Sequence, residues 1–166
     1  MTDKPTYEEL EQRVQELEQA ESERKRVEEA LSESERKFRN ILVQTPQIGI
    51  ALDPEAQIVF TNARFLELTG WTEEEVIGGN WFDLFIPEDI REEVREVFSL
   101  AMDSDSTHGF SSYENEILTR TGERRIVAWS NVITKDAEGA IVDVTCLGVD
   151  LTERKQAEEA LQEREA

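Results

Sequence analysis

The chain has 166 residues, enough for one ordinary domain with flanking elements and too few for two full domains. Its 18 basic against 38 acidic residues leave a formal charge of −20, which argues against nucleic acid and anionic membrane surfaces as partners. No apolar run approaches the roughly 20 residues that span a bilayer, no leader peptide is visible, and the single Cys146 allows neither an intrachain disulfide nor an all-cysteine metal site, so the chain reads as cytoplasmic.

Charge and composition divide the chain. Residues 1–38 carry 7 basic and 12 acidic groups, one proline (Pro5) and no glycine, whereas all eight glycines fall between 39 and 150. In the first stretch Leu10, Val14, Leu17, Ala20, Arg24, Val27, Leu31, Ser34, Phe38 and Ile41 follow one another by threes and fours, the spacing of a coiled-coil seam. An extra three-residue step at Leu17–Ala20 would overwind it locally. The intervening Glu, Gln, Arg and Lys are good helix formers, so a helix of about 55 Å is expected over residues 6–42. Its apolar stripe is too narrow to stand alone, so a partner helix is expected, the alternative being a solvated single helix.

The middle of the chain reads as alternating short elements. Gln47–Leu52 and Gln57–Phe60 flank Asp53-Pro54-Glu55, which predicts a hairpin. Asn62 is placed to cap a helix carrying Phe65, Leu66 and Leu68 that Gly70 ends. Thr72 to Glu75 has the capping-box spacing for a short helix stopped at Gly78-Gly79. Pro87, Glu88 and Asp89 suit the start of a longer helix to Met102, with Ile90, Val94, Val97, Phe98 and Ala101 on one face. Strands follow at about 111–119, 124–134 and 140–149. The order predicts an α+β fold with a five-stranded antiparallel sheet. In the 124–134 strand both alternate sets, Val127, Trp129, Ile133 and Ile126, Ala128, Val132, are apolar. One face is expected to cover the helices. The other needs the leading helix around Phe38, Ile41 and Leu42, or a second subunit.

The last segment repeats the first. Ser22-Glu-Arg-Lys-Arg-Val-Glu-Glu-Ala-Leu31 returns as Thr152-Glu-Arg-Lys-Gln-Ala-Glu-Glu-Ala-Leu161. One connector helix is thus expected to lead into the globular region and a similar one to leave it. With no stop signal before Ala166, the second is expected to continue into something else and the chain to be a fragment. The division that follows is a connector helix over 1–36, a globular domain over 37–151 and an exit helix over 152–166.

Residues 34–152 resemble a PAS domain of the bacterial sensory-box type. The resemblance is carried by Gly49-Ile-Ala-Leu-Asp53, Ile58-Val-Phe-Thr-Asn62, Phe65-Leu-Glu-Leu-Thr-Gly-Trp71, Glu75-Val-Ile-Gly78 and Asn80-Trp-Phe-Asp-Leu-Phe85. It continues in Pro87-Glu-Asp89, Thr121-Gly-Glu-Arg124, Trp129-Ser130 and Asp150-Leu-Thr-Glu-Arg-Lys155, where Leu151 replaces the isoleucine usual in the closing motif. It implies a PAS fold with a helix cluster on one sheet face, and a sensory or dimerisation module upstream of an output such as a histidine kinase in a two-component system. It implies no catalysis by this chain, which also lacks a P-loop, a nucleotide fingerprint, a nucleophile elbow and HExxH.

The cofactor-bearing relatives can be checked position by position. Light-adduct flavin chemistry needs a cysteine where Trp81 stands, and Cys146 lies in the last strand. Haem relatives use a histidine on the long helix, which has none; His108 follows it in a polar loop, outside the helical His-Glu setting of a phosphoacceptor. Asp103-Ser-Asp-Ser-Thr107 with Glu114 fits part of a calcium-loop template but has His108 where the turn requires glycine. No metal and no resident cofactor are expected, while a non-covalent flavin or a small ligand stays open. The candidate pocket comprises Phe60, Phe65, Asn80, Trp81, Phe85, Val94, Phe98, Tyr113 and Trp129, and the same residues could equally be plain core.

The leading reading is a homodimer paired through Leu10, Val14, Leu17, Val27, Leu31, Phe38 and Ile41. In it Asp150, as helix N-cap, with Thr152 and Glu153 couples the last strand to the exit helix and so to a downstream output domain. A ligand or flavin-like sensor and a structural dimerisation spacer are the alternatives.

Overall fold

The structure, a computed structural model, describes residues 4–103 and 110–165. It divides into two compact units, Met1–Leu42 and Val43–Ala166. The first is the bulk of one helix, α1 (Tyr7–Gln44). Its start is fixed by a reciprocal cap: the Thr6 N–H donates to Glu9 Oε2 at 2.8 Å, and the Glu9 N–H donates to Thr6 Oγ1 at 3.3 Å. Exposed pairs such as Glu33–Lys37 at 3.1 Å lace its surface. Within the single chain all seven apolar positions from Leu10 to Ile41 assigned to helix pairing are exposed.

The second unit begins with an antiparallel pair, β1 (Ile48–Leu52) and β2 (Ile58–Thr61). Between them Asp53 Oδ1 accepts the N–H groups of Glu55 and Gln57, and Ala56 takes the left-handed conformation at φ 62°. Four helices follow: α2 (Ala63–Thr69), α3 (Glu73–Val76), α4 (Trp81–Phe85) and α5 (Glu88–Asp103). Gly70, at φ 77°, ends α2 with its N–H on the Leu66 carbonyl, a left-handed cap that a β-carbon would strain. The chain closes with β3 (Ser112–Leu118), β4 (Arg124–Lys135), β5 (Ile141–Asp150) and α6 (Thr152–Glu165).

The strands form the expected five-stranded antiparallel sheet, in the order β2-β1-β5-β4-β3. The first and last strands are neighbours at its centre, with Ile48 opposite Gly148 and Leu52 opposite Val144. One face carries Ile50, Leu52, Val127, Trp129, Val144 and Cys146 into the core, where they meet Phe65, Trp81, Phe82, Phe85, Val94 and Phe98 from the helices. Gly148 makes this packing possible, since a β-carbon there would stand 2.7 Å from Val127 Cγ1 and 2.8 Å from Trp129 Cζ3. The indole of Trp129 lies over β5 at the one position without a side chain. The opposite face is apolar as well, and Val132 and Val149 on it are exposed.

Candidate functional site

Three elements converge on a cavity at the middle of the core face. From α4 come Trp81 and Phe82, from α5 Val94, Val97 and Phe98, and from the sheet Ile50, Leu52, Tyr113, Asn115, Trp129, Asn131 and Cys146, with Phe110 closing one end. Of the residues expected there, Trp81, Val94, Phe98, Tyr113 and Trp129 meet at the cavity. Phe65 and Phe85 lie fully buried beside it, Phe65 tilted against Trp81 at a centroid distance of 6.0 Å and Phe85 stacked on it at 5.1 Å. Phe60 sits opposite Ala51 on the far face of the sheet, and Asn80 caps α4, its Oδ1 accepting from Phe82 and Asp83.

Asn115 and Asn131 were absent from the expectation. Strand parity was the available signal, since residues 127, 129, 131 and 133 of β4 share a face. Both amides are already bonded through their nitrogens. Asn131 Nδ2 donates to the Phe110 carbonyl at 2.7 Å, and Asn115 Nδ2 donates to the Glu116 carbonyl at 2.8 Å. Burial, reinforced by Asp143, pushes the Cys146 thiol up to about 12, so it is a protonated, unreactive wall group. The cavity measures about 40 Å³. That is room for about two or three waters. Among the described residues no cluster of three or more His, Cys, Asp or Glu is placed to hold a metal ion. His108 and most of the calcium-like stretch lie outside the described residues.

The second region of interest is where α6 leaves the sheet. Thr152 is buried, and its hydroxyl accepts the Ile126 N–H of β4 at 2.8 Å while donating to Asp150 Oδ1 at 2.6 Å. The same Asp150 oxygen accepts the Thr152 N–H at 2.9 Å. The Leu151 N–H donates to the Ile126 carbonyl at 2.8 Å, and Arg125 Nη1 pairs with Asp150 Oδ2 at 3.4 Å. The expected N-cap geometry is corrected in detail. Asp150 is still the last residue of β5, so Leu151 occupies the cap position and the Asp150 carboxylate binds the first helical residue instead. Glu153 is exposed in the first turn of α6, outside this set of bonds. Lys155, one turn on, is paired with Glu114 of β3.

Exposed ion pairs tie α5 and α3 to the sheet side of the domain. Arg124 bridges Asp89, at the start of α5, and Glu116 on β3, at 2.7 and 2.6 Å. Arg120 reaches Glu75 at 2.7 Å and lies over the Trp71 ring. The Arg124 guanidinium holds the Asp89 carboxyl below the usual range, and bonds from Thr72, then Arg120, do the same for Glu75. Groups with lowered folded values stabilise fully above the unfolded pKa of about 4 and lose that contribution as pH falls through the folded value. Chemical unfolding titrated from about pH 6 to 3 should therefore show a steeper loss for the native chain than for Arg124→Gln. Parallel profiles would show that the bridge contributes nothing.

A family model described as PAS fold matches residues 42–156. The chain is 28% identical over 138 residues to the bacterioopsin transcriptional activator of Halobacterium salinarum, a match that takes in 78% of this chain. It spans about a fifth, 19%, of that curated relative's length. Among solved structures it is similar to the PAS domain of the Cronobacter turicensis quorum-sensing receptor RpfR in complex with BDSF, at 31% identity and TM-score 0.51, covering 66% of this chain and 97% of that one. The same receptor domain in complex with C12:0 matches at 29% identity and TM-score 0.53, again over 66% of this chain and 97% of that one. A sensory box histidine kinase/response regulator of Burkholderia thailandensis shares the fold at 18% identity and TM-score 0.57, over 78% of this chain and 95% of that one.

Proposed function

Because the chain belongs to the PAS-fold family of sensory modules, we propose that it works as a homodimeric signal-transmission unit of a larger signalling protein, in which α6 carries a conformational change to an output domain. The observation that carries this reading is the Thr152–Asp150–Ile126 bond set, which makes the start of α6 an extension of β4 and β5. A shift of the central strands moves the helix base with them, and paired helices would pass the motion on. The seven exposed apolar positions of α1 support pairing with a second copy. The mass of the native assembly should be that of two chains. Val27→Glu with Leu31→Glu should reduce it to one without loss of the sheet signal in circular dichroism. A monomeric native chain at micromolar concentration would overturn the dimer.

A second reading, a ligand-holding sensor, is favoured by the aromatic cavity and by the likeness to a receptor domain described in complex with C12:0 and with BDSF. The two readings are compatible, since the cavity and the α6 latch share the same sheet. A stable extra mass on the protein as purified supports the second.

A further inference from the structure

The two edges of the sheet are finished differently. The β2 edge is closed, since the Ile58 N–H donates to the Gly79 carbonyl, the Ile58 carbonyl accepts the Gly78 N–H, and Gln57 bridges to Asn80. β3 has no strand on its outer side. The Asn131 N–H reaches the Ser111 carbonyl and the Thr119 N–H the Glu123 carbonyl, so alternate residues between them bond β4. The backbone groups of Ser112, Glu114 and Glu116 therefore point away from the sheet. Among the described residues only the Glu116 carbonyl of this set has a partner, Asn115 Nδ2 at 2.8 Å. Such a row is a template for another strand.

A groove of about 320 Å³ lies along β3 from Tyr113 to Glu116, with Ile90, Glu93 and Val94 of α5 forming one wall. Side chains alternate across a strand, so an added strand would set one series beside Ile90 and Val94 and the other beside Glu114 and Glu116. The carboxylates of Glu93, Glu114 and Glu116 line the groove against a single amine, Lys155, which Glu114 already holds. Glu116 shares Arg124 with Asp89. Glu93 has no ion-pair partner among the described residues, and its charge acts on the Tyr113 phenol. Negative charge is thus left in excess. A second copy does not suit this edge, because two β3 strands paired about a twofold axis would bring Glu114 and Glu116 against the same residues.

We propose that β3 is the docking edge for an extended segment of a separate protein, added as a further strand, with apolar side chains toward α5 and lysine or arginine side chains toward Glu114 and Glu116. The probe is a labelled peptide as long as β3, seven residues, alternating lysine and valine, titrated by fluorescence anisotropy onto the full chain. It should bind at least tenfold tighter than its glutamate–valine counterpart. N-methylation of one alternate set of its amides should weaken binding about tenfold, and methylation of the other set should leave it unchanged, because only one set faces β3. On binding, hydrogen exchange of the Glu114 and Glu116 amides should slow about tenfold or more. Glu93→Gln with Glu114→Gln should weaken binding about three- to tenfold. The methylated peptides carry the same charge, so equal binding by all three would show attraction by charge alone and overturn the proposal. No binding of the lysine–valine peptide at millimolar concentration overturns it too. So does protection of the Glu114 amide that rises with protein concentration in the absence of peptide, which would assign the edge to a second copy.

Discussion

Asn62→Ala should lower the unfolding free energy by about 2–4 kcal/mol, as measured by urea denaturation. The side chain is buried, and its Oδ1 accepts both the Gly49 N–H at 2.9 Å and the Phe65 N–H at 3.0 Å. Its Nδ2 donates to the Gln47 carbonyl at 3.0 Å. One residue thus caps α2 and also pins the start of β1. Losing the cap costs about 1 kcal/mol, and leaving the buried Gly49 N–H without an acceptor adds about 1–3 kcal/mol. The space is equally specific, since a β-carbon on Gly49 would come within 2.9 Å of Asn62 Nδ2. A loss below about 1 kcal/mol would mean that water replaces the amide and that the residue is only a helix cap.

The second large effect concerns α6. Thr152→Val keeps the shape of the side chain and removes the hydroxyl that joins Ile126 to Asp150. Hydrogen exchange of the Ile126 amide and of the first turn of α6 should then accelerate by about 10–100-fold, the equivalent of one to two buried hydrogen bonds. The β1–β2 pair should keep its protection. Asp150→Ala should act on the same amides, and the double variant should be less than additive because both remove one network. Unchanged Ile126 protection in Thr152→Val would remove the physical basis for transmission through α6.

These two residues differ in how far they could be read from sequence. Asn62 was legible as a cap because a cap is a local event, decided by the three residues that follow it. Its bonds to Gly49 and Gln47 were not, because they depend on which strand comes to lie beside which turn. Thr152 and Asp150 were legible as a junction, from a polar pair directly after an apolar strand. The backbone N–H of Ile126 was invisible as their partner because it comes from register, not composition. The strands and five of the helices were read to within a residue or two, since periodicity and turn chemistry specify them locally, while the one-turn helix α4 was not expected as a separate element. The pocket was read least well. Aromatic residues announce a core, but only the parity of β3 and β4 turns Asn115 and Asn131 toward it, and only the packing of Phe98 and Phe110 sets its volume. Arg124 and Arg125 are adjacent in sequence yet serve opposite faces, one bridging to α5 and the other to the base of α6.

The central pairing of β1 with β5 has a mechanical consequence. Ile48 lies opposite Gly148, so the chain enters and leaves this sheet at the same end. Tension applied through the two flanking segments would therefore load the β1–β5 ladder at its mouth and part it one hydrogen-bonded pair at a time, as a zipper opens, instead of shearing all its bonds at once. A domain joined this way yields early to pulling and resists little.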